Sequence, residues 1–199
     1  MTAQTSRLIV LAAAFLAGLA LCLTLIVVVA QRGNGPAVTQ ASAVGGPFKL
    51  SDQDGRTVTE TDVKGKPVLV FFGYTHCPDV CPTTLFDMSE VFRKLGPDAD
   101  RAAGLFITVD PERDTPEAMK SYLSSFDPHL RGLTGDEAAI ESAAKAYRVY
   151  FRKVPGADGN YTMDHTGLVY LMDKQGNFVA PFNLKRRPEE AAADLRKYL

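Results

Sequence analysis

Two cysteines, Cys77 and Cys81, stand four residues apart in the stretch FFGYTHCPDVCPTTL, residues 71–85, with a proline directly after each. A separation of four sets two side chains about one helical turn apart on one face, so both sulfurs can serve one object. Pro78 and Pro82 suit a helix start, where the first backbone N–H groups have no partner and proline lacks that donor. The same helix end, with unpaired N–H groups and the positive end of the dipole, favours thiolate, the form that binds metal or attacks a disulfide. A pair of buried small residues or a static disulfide would also satisfy the spacing. The polar neighbours Thr75, His76 and Asp79, on a loop-to-helix junction, argue for a working pair, either metal-binding or redox-active.

Two sulfurs leave a metal site incomplete, and three histidines are available to extend it. His76, next to Cys77, would point the other way from an extended strand end, and His129, after Asp127-Pro128, reads as a solvated loop residue. His165 differs, because MDHTGLVYLMD places it just before an apolar strand expected to lie beside the strand that leads into Cys77. Two soft sulfurs and an imidazole suit Cu(I) with three ligands, and Cu(II) where a water or a carboxylate such as Asp79 or Asp164 completes the set. A structural zinc site would want four protein ligands in recognised spacing, which the sequence does not offer. The candidate metal ligands are therefore Cys77, Cys81 and His165, and the candidate metal is copper.

These residues need a scaffold. Residues 47–74 read as a short hairpin turning at Asp54-Gly55, followed by an unbroken apolar strand, Val68 to Phe72, whose lack of alternation implies burial on both faces. Leu85, Met88, Val91, Phe92 and Leu95 recur at helical spacing until Gly96-Pro97. A buried strand over Gly104 to Asp110 precedes a helix capped by Thr115 with Pro116 at its first position, then a short strand over Leu130 to Leu133. DEAAIESAAKAYRVYF predicts a third helix with Asp136 near its cap; a hairpin, Thr166 to Met172 and Phe178 to Phe182, and a helix from Pro188 close the chain. The order β-β-β-α-β-α-β-α-β-β-α describes an α/β domain, a central mixed sheet flanked by helices. That is a thioredoxin-like fold with an N-terminal β-hairpin extension. In enzymes of that fold a cis-proline faces the cysteine pair where this chain reads Asp164-His165-Thr166. Asp110 ends a strand on the cysteine edge of the sheet, and Arg113 and Asp114 are expected to pair as ions that hold this loop beneath the site. A helix entry made of turn residues and a cap is the plainer alternative.

The 199 residues leave room for one ordinary domain and an appendage, and a net charge of -1 from 22 basic and 23 acidic residues gives no reason to expect a nucleic-acid partner. The appendage is residues 8–30, 23 residues without a charge and about 35 Å long as a helix, enough to span a bilayer. A cleaved signal peptide has a shorter apolar core, although Val28-Val29-Ala30 would satisfy a small-residue cleavage rule. Arg7 and Arg32 flank the span, and the terminal amine tips the orientation towards an inside N-terminus. Cys22, inside the span between Leu21 and Leu23, reads as an apolar filler. The expected organisation is a short cytoplasmic tail over 1–7, a transmembrane anchor over 8–30, a flexible linker over 31–46 and a folded domain over 47–199.

Three segments, GKPVLVFFGYTHCPDVCPTTL, TVDPERDTPEAM (Thr108 to Met119) and DHTGLVYLMD (Asp164 to Asp173), together resemble the Sco (SenC) family. Its members are membrane-tethered copper-binding proteins that help assemble the copper centre of cytochrome c oxidase. The resemblance implies copper bound by Cys77, Cys81 and His165 in a thioredoxin-like domain. It places the chain in a bacterial cytoplasmic membrane with the domain in the periplasm. It also implies partners: the oxidase's copper-binding subunit, another copper chaperone, or a thioredoxin-like reductase. A carrier needs no catalysis. The alternative is a thiol-disulfide oxidoreductase, with Cys77 attacking and Cys81 resolving, that reduces the cysteines of the same oxidase site. A peroxidase of the peroxiredoxin kind lacks its threonine and cysteine spacing here.

Overall fold

The computed structural model describes residues 16–24, 44–156 and 159–199. Residues 16–24 are helical and lie within the expected span, the remainder of which falls outside the described residues, as do 31–43 of the expected linker and the 1–7 tail. Among the described residues no helix is long and apolar enough to cross a membrane. The chain divides into two units, 1–41 and 42–199, and the second carries the site.

Its centre is β3 (Val68–Gly73), six buried residues in a row, as expected of a strand covered on both faces. β3 pairs in parallel with β4 (Ala103–Thr108), and β4 in parallel with β5 (Leu130–Thr134). On the other side β3 runs antiparallel to β8 (Val169–Met172), with Phe71 opposite Val169, and β9 (Phe178–Pro181) forms the edge. The N-terminal hairpin, β1 (Lys49–Asp52) and β2 (Thr57–Thr59), adds to β5 and completes the order β2-β1-β5-β4-β3-β8-β9. The mixed sheet and hairpin extension are as the element order implied.

Helices cover both faces. Phe71 and Phe106 stack at 6.0 Å and reach Tyr122, in α2 (Pro116–Leu123), on the face that also carries α1 (Val80–Leu95). On the other face Phe72 and Tyr170 meet Tyr147, the residue after α3 (Glu137–Ala146). α4 (Pro188–Arg196) packs against α1, where Arg196 donates to the carbonyl of Lys94 at 2.7 Å. Thr115 and Asp136 cap α2 and α3 as expected, accepting from the backbone N–H groups of Ala118 and Ala139.

The third helix stops earlier than its sequence suggested, and this is the main correction to the fold. α3 ends at Ala146, and the residues expected to continue it turn away through Arg148, at φ 55°. Val149 N–H bonds to the carbonyl of Ala144, and Arg148 N–H to that of Lys145, which is a Schellman ending made without glycine. The chain then forms a second, two-stranded sheet, β6 (Phe151–Pro155) and β7 (Tyr161–His165), that the sequence reading did not anticipate. Arginine in place of the usual glycine hid the stop. The strand expected from Thr166 begins only at Val169, because Thr166 instead donates its N–H to the carbonyl of Tyr150.

Close packing of the layers sets one test. A Cβ on Gly104 of β4 would fall 2.4 Å from Leu130 Cδ2 and 3.1 Å from Phe92 in α1. Gly104→Ala should destabilise the domain by about 1–3 kcal/mol, read from the urea midpoint. An unchanged midpoint would show that the sheet and α1 can part at no cost.

Candidate metal centre

The antiparallel pairing of β3 with β8 decides where the chemistry lies. β3 delivers the chain at its C-terminal end into the cysteine loop, and β8 starts at that same end, so the residues before β8 arrive beside the loop. His165, the last residue of β7, precedes β8 by four positions. Its Nε2 lies 3.5 Å from the sulfur of Cys81, a residue 84 positions away in sequence. The sulfurs of Cys77 and Cys81 and a ring nitrogen of His165 all lie within 4.8 Å of one another. Metal–sulfur and metal–nitrogen bonds of about 2.0–2.3 Å put ligand atoms roughly 3.5–4 Å apart, so this group needs little contraction to close on one ion.

The imidazole is held in the tautomer a metal requires. His165 Nδ1 lies 3.1 Å from the carbonyl of Thr166, which can only accept, so Nδ1 is the donor there and Nε2 is the nitrogen turned to the cysteines. The ring stands edge-on to Tyr74, centroids 5.9 Å apart, and to Phe71 at 6.1 Å. All peptide bonds in the described residues are trans, and Thr166 follows His165 where thioredoxin-like enzymes place a cis-proline.

The two cysteines are not equivalent. Both are free thiols in this structure, Cys77 half-buried and Cys81 fully buried. Cys77 receives the Cys81 backbone N–H at 3.4 Å, the helix-end contact expected to favour a thiolate. For Cys81 the expectation fails: burial pushes its thiol well up, and the neighbouring Cys77 adds to the shift. Its sulfur occupies a pocket that only glycine leaves open, since a Cβ on Gly73 would come within 2.8 Å of it.

Residues expected around the site divide. Asp114 is fully buried and accepts from Thr75 N–H at 3.0 Å and from the hydroxyls of Thr75 and Thr108, each at 2.6 Å. It therefore anchors the loop two residues before Cys77. Its expected ion pair with Arg113 does not form; Arg113 pairs with Asp110 instead. Asp79 is exposed at the start of α1 and makes no side-chain cap, and Asp164 is exposed and paired with Arg152 at 2.8 Å, so neither joins the ligand group. Strand alternation explains the second case, because Asp164 and His165 are neighbours in β7 and face opposite ways. His76 is exposed and bonded to Thr75, as expected of a bystander. His129 is more embedded than a solvated loop residue: it stacks on Phe92 at 5.4 Å and bonds to Asp127 and Asp100. Burial opposes charge on His129, but those two carboxylates outweigh it and raise its pKa.

Sequence reasoning missed Tyr74, which touches the histidine, and Tyr161, whose hydroxyl bonds to Asp110 at 2.9 Å. Tyr74 directly precedes the polar loop and was open to notice. Tyr161 belongs to the unanticipated hairpin and was not.

A thioredoxin-like domain with a Cys2His group at the strand edge is a metal-binding class of protein, built on a redox scaffold. Comparisons narrow it: the SCO1/SenC family model matches residues 36–199, and the chain belongs to that family. Copper-bound ScoI of Bradyrhizobium japonicum is 67% identical, covers 78% of this chain and 99% of its own, and superposes with a TM-score of 0.77. Copper-bound yeast Sco1 is 36% identical, with a TM-score of 0.71 over 78% of this chain and 87% of its own. An SCO2-like protein of Rickettsia conorii is 40% identical over 77% of this chain and 76% of its own length. The match to an Arabidopsis thaliana mitochondrial SCO1 homologue, 42% identical over 73% of this chain, spans only 44% of that longer protein.

Unequal burial of the thiols leads to a direct test. Limited alkylation of the folded protein should modify Cys77 well before Cys81, as read by peptide mass mapping. Equal rates at the two residues would contradict the buried position of Cys81.

Proposed function

We propose that this chain is a copper carrier. It binds the ion through Cys77, Cys81 and His165 and passes it by ligand exchange to the copper centre of cytochrome c oxidase during assembly. The observation that carries the reading is the convergence of two sulfurs and an imidazole nitrogen within 4.8 Å. That donor set is soft enough for Cu(I), and the nitrogen extends it to Cu(II). Membership of the SCO1/SenC family, with copper-bound relatives, supports the choice of metal. The half-exposed Cys77 gives an incoming ligand a place to attack, and no catalytic step is needed.

The 23 uncharged residues of 8–30 would tether the domain to a bacterial cytoplasmic membrane, with the domain in the periplasm beside the oxidase's copper-binding subunit. There the chain would receive copper from another chaperone, and a thioredoxin-like reductase would keep the two thiols reduced. Reductase chemistry on the same pair is the second reading, and free thiols of unequal exposure are compatible with it.

His165→Ala separates the two. In competition titrations with a chromophoric chelator, the variant should lose about a hundredfold or more in Cu(II) affinity, near 2.7 kcal/mol. Equal binding by wild type and variant would overturn the carrier reading. Disulfide reduction that survives His165→Ala but disappears in Cys81→Ser would favour the reductase.

A further inference from the structure

One short loop, residues 110–114 between β4 and α2, touches both halves of the metal centre. We infer that it is a clasp that fixes the distance between His165 and the cysteine pair; for its metal readout this rests on the copper reading above. Its first arm is Asp114, whose buried carboxylate holds Thr75 by backbone N–H and hydroxyl and so fixes the start of the cysteine loop. Its second arm is Arg113, which grips the histidine hairpin. The guanidinium donates to the carbonyl of Tyr161 at 3.1 Å and lies over the Tyr161 ring at 3.7 Å. Tyr161 in turn gives its hydroxyl to Asp110, the partner of Arg113. Lys153 of β6 covers the same ring at 3.7 Å and pairs with Glu112, so a third loop residue engages the hairpin.

The arms cannot move independently. The N–H groups of Arg113 and Asp114 both bond to the carbonyl of Asp110, and Thr134 of β5 donates its hydroxyl to the carbonyl of Asp114 at 2.7 Å. The Arg113 guanidinium also lies 5.7 Å from the ring of Tyr74, which stands against His165. One cation therefore sits between an aromatic ring of the cysteine loop and one of the histidine hairpin, an arrangement worth about 0.5–2 kcal/mol per contact. Phe151 and Met163 also pack the hairpin against the core, and His165 stands against Phe71 and Tyr74.

None of these residues belongs to the ligand group; they are positioning residues. The consequence differs with oxidation state. Two sulfurs alone can hold Cu(I), whereas Cu(II) depends on the nitrogen, and the nitrogen is on the hairpin that Arg113 secures. Loosening the second arm should therefore cost Cu(II) far more than Cu(I), while loosening the first should cost both.

The test uses the full chain in detergent, with Arg113→Met and the milder Tyr161→Phe for the second arm and Thr75→Val for the first. In metal-free protein, amide exchange over Tyr161–His165 should quicken about tenfold or more in the second-arm variants, with β3 and β4 unchanged. Cu(II) affinity should fall about 10- to 100-fold in those variants, with a changed nitrogen hyperfine pattern, while Cu(I) affinity stays within about threefold. Thr75→Val should weaken both ions by similar factors. Unaltered exchange in both second-arm variants overturns the clasp, whatever the metal does. Faster exchange with equal losses of Cu(I) and Cu(II) overturns its role in setting ligand geometry. If His165→Ala binds copper as wild type does, the carrier reading fails, and the metal-free exchange result still judges the clasp.

Discussion

The antiparallel alignment of β8 with β3 is the constraint on which the site depends. With Phe71 opposite Val169, the end of one strand and the start of the other coincide, and the loops at that edge meet. A one-residue slip would turn the alternate side chains of β8 to the wrong face, so burial of all four of its residues on both sides of the sheet pins the register. Hydrophobic packing far from any polar chemistry thus sets the meeting of a histidine and a cysteine 84 residues apart.

At that meeting point local and global effects compete. Both cysteines belong to the start of α1, where the helix end stabilises negative sulfur, yet Cys81 is packed beneath Gly73 and Phe106 and is driven towards the neutral thiol. Cys77 remains half-exposed. A soft cation compensates a buried sulfur for its lost solvation, so the pocket that disfavours a bare thiolate is compatible with a bound metal. A buried sulfur beside a half-exposed one is an arrangement suited to a carrier, and to a thiol reductant as well.

The polar loop between β4 and α2 turns strand-edge proximity into defined geometry. Asp114 does not pair with Arg113; its buried carboxylate is met by three hydrogen bonds from two threonines, with His76 Nδ1 3.9 Å away. Arg113 pairs with Asp110 and meets tyrosine rings and a carbonyl on the other side, while its Nη2 is buried without a hydrogen-bond partner. Two adjacent residues of opposite charge thus bind different halves of the site.

Much of this was legible in the chain alone. Unbroken apolar runs marked β3 and β4, and helical spacing marked α1; Thr115 and Asp136 announced their caps; and the types and spacing of Cys77, Cys81 and His165 picked out the three residues that the structure brings together. These features are local, or depend only on element order, so sequence determines them directly. The β6–β7 hairpin was hidden because a Schellman ending through Arg148 replaced the glycine that would have marked the stop. The partners of Arg113 and Asp114 were misassigned because adjacency suggested a pair that the backbone directs apart. Asp79 and Asp164 were excluded from the ligand group by exposure and strand alternation, and Cys81 was separated from Cys77 by burial. Each of these outcomes depends on which surfaces pack together and which way a side chain faces, and only the tertiary structure decides that. The sequence by itself determined what could bind a metal; packing decided which atoms meet, how the imidazole carries its proton, and which sulfur stays within reach.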